Sequence, residues 1–156
     1  MDPHGTQVVV IDASLAIAWY ISRNDPHEAG IAQQAIHAVM SNGALVPHLW
    51  FVEISNALVT AERRQVANAQ ASARFLADLD SLPITVDDQA PGRLQAEILK
   101  LGRSHQLTAY DATYLELALR KKTLLATFDR QLAEAARSAG VTVFGDPPQK
   151  SGLDSN

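Results

Sequence analysis

The chain has no cysteine at all. That excludes a disulfide framework, a thiol nucleophile and any thiolate-ligated zinc or iron–sulfur centre, and it suits a reducing cytoplasm. No apolar run is long enough to cross a bilayer. The longest, from Val8 to Ile21, contains Asp12 and has no Lys or Arg before it, so neither a membrane span nor a signal segment is expected. An excess of positive charge is also missing. Thirteen Lys and Arg against 17 Asp and Glu give a formal charge of −4. This disfavours a protein that grips nucleic acid by bulk electrostatics, unless acids are gathered around cations that reverse the local sign. Aromatics make up 6% and charged residues 19% of the chain, whereas 47% is hydrophobic, enough for one folded domain of 156 residues.

Short β-branched or apolar runs alternate with helical periodicity along the whole length. Strands are expected at Gln7 to Asp12, Ala44 to Pro47, Leu82 to Val86, Thr123 to Phe128 and Val141 to Phe144. Helices are expected at 14–21, 27–40, 48–64, 67–80, 88–103, 109–122 and 130–140, the second stopping at Asn42-Gly43 and the last at Gly140. Strands separated by helices imply an α/β fold, three layers α/β/α around a mostly parallel sheet. The domain is expected over residues 7–144, with flexible tails at 1–6 and 145–156. Trp19, Tyr20, Trp50 and Phe51 read as core, the other reading being a groove for a partner helix.

Four acids sit in apolar or small-residue settings: Asp12 in VVVIDASLA, Glu53 in LWFVEISNAL, Asp111 in LTAYDATYL and Asp129 in LLATFDRQL. Each has a plain structural explanation. Asp12 and Asp129 follow expected strands and precede expected helices, where Asp is a favoured N-cap. Asp111 stands three residues after Thr108, as in a capping box. Glu53 could pair with an arginine, but an unpaired charge on so apolar a face costs several kcal/mol. The alternative is a cavity where Glu53, with Asn56 and Thr60 at helical spacing, meets something cationic. Ligands of parallel sheets gather at the carboxyl ends of the strands, where Asp12 and Asp129 fall. Carboxylates crowded there must be protonated or neutralised, and oxygen-only donors suit Mg²⁺ or Mn²⁺; the histidines show no zinc-binding spacing.

The strand leading into Asp12-Ala13-Ser14, the E-x-x-N-A-L of Glu53 to Leu58, the Y-D-A-x-Y-L-E-L-A of Tyr110 to Ala118 and the T-x-D of Thr127 to Asp129 together resemble the PIN-domain family, most closely its VapC-type toxins. The resemblance spans Val8 to about Phe144. It implies a metal-dependent endoribonuclease, the toxin of a toxin–antitoxin pair, with Asp12, Glu53, Asp111 and Asp129 around Mg²⁺ or Mn²⁺. It implies that Ser14, Asn56 and Thr127 are polar positions steadying the acids or holding water. It further implies an RNA substrate cut to 5′-phosphate and 3′-hydroxyl ends, a small VapB-like antitoxin and a homodimer. Arg130, beside Asp129, is a candidate phosphate contact. The cluster Arg120-Lys121-Lys122 reads either as a neutralised helix C-terminus or as phosphate contacts.

Three other classes share some features. A receiver-type signalling domain wants a paired acid after the first strand and a late Lys, but Ile11 precedes Asp12, and Val141 to Phe144 leads to Gly145 and Asp146. A haloacid-dehalogenase-type phosphatase wants D-x-D where this chain has Asp12-Ala13-Ser14. A non-catalytic binding domain would not need the complete acidic set, and a PIN nuclease of RNA processing rather than a toxin would look the same from sequence.

Overall fold

The structure, a computed structural model, describes residues 7–148. The expected tails at 1–6 and, beyond residue 148, the rest of 145–156 lie outside the described residues. Residues 145 and 146 pack against the domain: Gly145 abuts the Ile31 side chain, and Asp146 accepts two hydrogen bonds from Arg137.

Four short strands form one sheet: β1 (Val9–Ile11), β2 (Ala44–Val46), β3 (Ile84–Val86) and β4 (Leu125–Ala126). All neighbours pair in parallel in the order β3-β2-β1-β4. Seven helices connect and cover them: α1 (Ala13–Ile17), α2 (Pro26–Asn42), α3 (Leu49–Arg63), α4 (Ala69–Asp80), α5 (Pro91–His105), α6 (Ala109–Lys121) and α7 (Arg130–Ser138). Parallel strands must hide both faces, so the sheet takes the most apolar segments and the helices complete a three-layer α/β/α sandwich. Val9, Val10 and Ile11 are all buried, as are Leu15, Ile54, Leu115, Leu117, Leu125 and Leu132 from the surrounding elements. No helix of the described residues is long and apolar enough to cross a membrane.

The strand order decides where a ligand can sit. From β1 the chain steps outward to β2 and then β3, and later returns to place β4 on the opposite side of β1. Connections leaving β1 and β4 therefore diverge, opening a crevice at their carboxyl ends. Asp12 leaves β1 there, its amide donating to the Ala126 carbonyl at 3.1 Å. Asp129 follows β4 at the same edge.

Three expected elements change. Val141 to Phe144 is not a full strand: it bridges Leu125 through Val143 alone, with hydrogen bonds to either side of that one residue. β4 is only two residues long, so its outer edge has little more to offer. The helix expected at 14–21 ends at Ile17; Trp19 instead donates its indole N–H to the Ala32 carbonyl at 2.9 Å, and Tyr20 stacks on Phe75 at 4.8 Å. The helix expected from Asp88 starts at Pro91, because a residue before proline is driven out of the helical region and Ala90 is extended (ψ 126°). Of the four aromatics expected in the core, Trp50 is fully enclosed, Trp19 and Tyr20 are half-buried, and Phe51 is 45% exposed.

Arg120 is committed inside the protein rather than to a phosphate. Its guanidinium donates to both carboxylate oxygens of Asp87 (3.0 and 2.6 Å) and both of Glu116 (2.7 and 3.1 Å), and both acids are buried. Burial pushes the Asp87 carboxyl up, but the Arg120 hydrogen bonds and charge outweigh it and hold the group below its ordinary value. Arg120→Ala would strand two buried carboxylates and should cost about 3 kcal/mol in urea unfolding at pH 7. With its folded value depressed, ionised Asp87 stabilises the fold above 3.8 and loses that contribution as pH falls further. The gap between variant and wild type should therefore narrow at pH 3. A constant gap would dissociate the arginine's effect from these carboxylates.

Candidate active site

Asp12 is the most enclosed of the four acids, 5% exposed. Its side chain caps α1, Oδ1 accepting from the Leu15 amide at 3.0 Å and from the Ser14 hydroxyl at 2.7 Å. Oδ2 accepts from the Thr127 hydroxyl. The two hydroxyls also reach back to the backbone after β4: Ser14 Oγ accepts from the Phe128 amide at 3.0 Å and Thr127 Oγ1 from the Asp129 amide at 2.9 Å. Ser14 and Thr127 thus lock the end of β1 to the end of β4 through one carboxylate. Desolvation still dominates its ionisation. Despite these three donors, burial, with a smaller push from the Glu53 charge, lifts the Asp12 carboxyl to about 6.

Glu53, on α3, is partly buried and accepts from the Tyr114 phenol at 2.5 Å. Burial, then the hydrogen bond to Glu53, then the charges of Glu53 and Asp12 push the Tyr114 hydroxyl far above its usual value, so it remains a donor. Asp111, in the first turn of α6, has its amide capped by Thr108 Oγ1 at 3.2 Å. Its carboxyl is raised by partial burial and by the charges of Asp129 and Glu53. Asp129 caps α7 through Oδ1, which accepts from the Leu132 amide at 2.8 Å. The capping explanations hold for Asp12 and Asp129, and they coexist with a shared location.

Electrostatics connects the four: Asp12 to Glu53, Glu53 to Asp111, and Asp111 to Asp129. Among the described residues none of them enters an ion pair, so the arginine partner weighed for Glu53 is replaced by a phenol. They do not close into a tight cage; no three acidic or imidazole groups of the described residues are arranged ready to hold a bare metal ion. Of the four, Glu53 lines a cleft of ≈ 590 Å³, together with Ser14, Arg23, Asn56 and Tyr110 among others. Asn56 is exposed on its wall, one turn along α3 from Glu53. Arg130 is exposed at the first position of α7, in a separate depression with Thr127 and Asp129.

Two site residues carry no role in the sequence reading above. Tyr114 stands inside the Y-D-A-x-Y-L-E-L-A string, and its four-residue spacing from Tyr110 gives no hint that its hydroxyl reaches Glu53. Arg23 lies in the break after α1, where local patterning is silent; its guanidinium pairs with Glu28 at 2.7 Å and sits 4.8 Å from the Phe128 ring centre.

The raised Asp12 carboxyl has a consequence for stability without metal. The folded protein binds the proton more tightly than the unfolded chain, so this contribution is full below 3.8 and is lost as pH rises through about 6. The span corresponds to at most about 3 kcal/mol. Asp12→Asn keeps an acceptor for Leu15 and removes the charge. In EDTA, the variant should gain on wild type as pH rises from 4 to 7 in denaturant unfolding. Parallel pH curves would mean that the Asp12 carboxylate is adequately solvated.

Residues 9–138 match the PIN domain family. The chain is 28% identical over 129 residues to Ribonuclease VapC3 of Pyrobaculum aerophilum, covering 81% of this chain and 92% of that protein. Its fold is similar to the crystal structure of PAE2754 from Pyrobaculum aerophilum (TM-score 0.60, 21% identity, 85% of this chain and 87% of the other). It is also similar to that of FitAcB from Neisseria gonorrhoeae (TM-score 0.58, 15% identity, 88% and 96%). With the family pattern running from β1 through α7 and the acids at the switch of the sheet, this chain belongs to the PIN domain family.

Proposed function

We propose that this protein is a divalent-metal-dependent endoribonuclease, the toxin of a toxin–antitoxin pair. The observation that carries the reading is the set of four electrostatically linked carboxylates, none neutralised by a basic side chain among the described residues, at the switch point of a PIN fold. The similarity to a protein named Ribonuclease VapC3 supports RNA as substrate and a small VapB-like antitoxin as partner. Exposed Phe51, Val52 and Val59 along α3 are in keeping with a protein contact, the antitoxin or the second copy of a homodimer. A cytoplasmic location follows from the same reading.

The residues present fit Mg²⁺ or Mn²⁺. All candidate donors are carboxylate oxygens, and a loose arrangement suits a cation that keeps several of its waters and takes only one or two protein carboxylates directly. Asp12 and Asp111 are the proposed direct ligands, with Asp129 and Glu53 contributing directly or through water. The chemistry such an ion supplies is stabilisation of charge on the phosphate and a more acidic water.

The chain's own residues supply orientation. Ser14 and Thr127 fix both oxygens of Asp12, and Tyr114 fixes Oε1 of Glu53. Asp129 spends Oδ1 on its cap, while the helix dipole at the first turn of α6 opposes, without overcoming, the burial and neighbouring charges that raise the Asp111 carboxyl. Asn56 offers an amide to water or substrate on the cleft wall. Arg130 is a cation in the first turn of a helix, where the dipole disfavours it, so a phosphate contact gives that position a purpose. Water is the proposed nucleophile, and the PIN-family resemblance implies products with a 5′-phosphate and a 3′-hydroxyl.

Purified protein should cut RNA in Mg²⁺ and stop in EDTA. Asp12→Asn and Asp111→Asn should each lower the rate by at least about 100-fold while remaining folded, and Ser14→Ala by about tenfold, since groups that orient ligands typically cost 10- to 100-fold. Wild-type rates from Asp12→Asn, measured by gel assay on a labelled RNA, would remove the carboxylate from the chemistry.

A further inference from the structure

An anionic substrate approaching this edge meets repulsion from four acids, so something beside them must attract it. Arg23 is the one cation lining the ≈ 590 Å³ cleft among the described residues. It is held from two sides. Its Nε donates to Glu28 at 2.7 Å, and its guanidinium lies 4.8 Å from the centre of the Phe128 ring, whose backbone amide donates to Ser14. Neither Nη group makes a hydrogen bond among the described residues, leaving a planar pair of donors beside the cleft, the shape that suits phosphate oxygens. The perch is thus tied, through Phe128 and Ser14, to the carboxylate of Asp12.

Tyr110 supplies the other feature. It stands in the first turn of α6 next to Asp111, lines the same cleft, and is 62% exposed. So large an aromatic left in water contributes little to the fold. A flat ring in a cleft that an arginine and an asparagine also line is what an unstacked base would use. The cleft volume falls in the range, about 300–1,000 Å³, that accommodates small organic ligands, which leaves room for a nucleotide.

We propose that Arg23 and Tyr110 form a phosphate-and-base grip that positions the RNA strand in the cleft, an inference that rests on the nuclease reading. Arg23 binds a backbone phosphate beside the acids, and Tyr110 stacks on a neighbouring base. A base already paired in a duplex cannot stack on the ring without first being pulled out.

The test measures anisotropy of a fluorescein-labelled single-stranded RNA with full-length protein in Ca²⁺, a hard cation with the same preference for oxygen ligands, together with cleavage in Mg²⁺. Tyr110→Ala should bind about 5- to 100-fold more weakly while Tyr110→Phe stays close to wild type, since the ring and not the hydroxyl stacks. Arg23→Gln should flatten the dependence of log affinity on log salt by about 0.7, the value of one single-strand phosphate contact, and Arg23→Lys should restore the slope. Duplex RNA of the same sequence should compete poorly. If wild type cuts RNA but the variants bind with unchanged affinity and slope, the grip is wrong and the nuclease reading stands. If wild type neither binds nor cuts any RNA offered, the reading beneath it has failed. Variants that leave RNA binding intact yet lose a co-purifying protein would assign the cleft to a protein segment and overturn the proposal.

Discussion

Two hydroxyls and one backbone amide converge on the carboxylate of Asp12, at the point where the sheet reverses its order of growth. The three contacts serve packing and chemistry together. They join α1 to the segment after β4, and so hold in register a strand only two residues long. They also fix both oxygens of a group that would otherwise rotate. Even so, three donors do not offset the loss of water around Asp12, and its carboxyl is left near 6 with the Glu53 charge adding to the imbalance. A fold built only for stability could place an apolar residue here. On the proposed reading, a bound cation would offset the burial that disfavours the charge of this acid.

The remaining acids are held in three different ways. Asp129 spends one oxygen on the first turn of α7 and leaves the other uncommitted to any hydrogen bond among the described residues. Asp111 takes its helix start from Thr108, so its own carboxylate is not consumed by capping. Glu53 has no helix end to serve and is steadied by Tyr114 from a different helix. Capping and ligation are therefore not rival explanations. A cap turns a carboxylate toward the loop edge and, as at Asp129, occupies only one of its two oxygens.

Features written in short stretches of chain were legible in the sequence. The β-branched run before Asp12, the cap position of Asp129 and the Thr108–Asp111 spacing all act within four residues, and the order of strands and helices follows from local periodicity. What distant segments decide was not legible. Tyr114 reaches Glu53 across 61 positions, and Arg120 reaches Asp87 across 33. The first placed an unforeseen donor in the site; the second withdrew a cation that the sequence left free to bind phosphate. Val141 to Phe144 has strand composition, yet pairing depends on how much edge the partner presents, and β4 presents almost none. Pro91 was visible, but its effect on Ala90 outweighed the helical pattern that begins at Asp88.

A net charge of −4 is also a poor guide to what this surface attracts. Arg120, Arg137 and Lys100 are matched to acids, and Arg23 is paired with Glu28 through its Nε. The four acids at the switch point have no such match among the described residues, so the negative field there exceeds what an even spread of charge would produce. On the proposed reading, cation and RNA each reduce the repulsion that the other faces at this edge. Their binding is then coupled, and the coupling is reciprocal: whatever the metal adds to affinity for RNA, RNA adds to affinity for the metal. On the same reading, a chain of net charge −4 would hold an anionic polymer where a bound cation offsets the carboxylates that take part in cutting it.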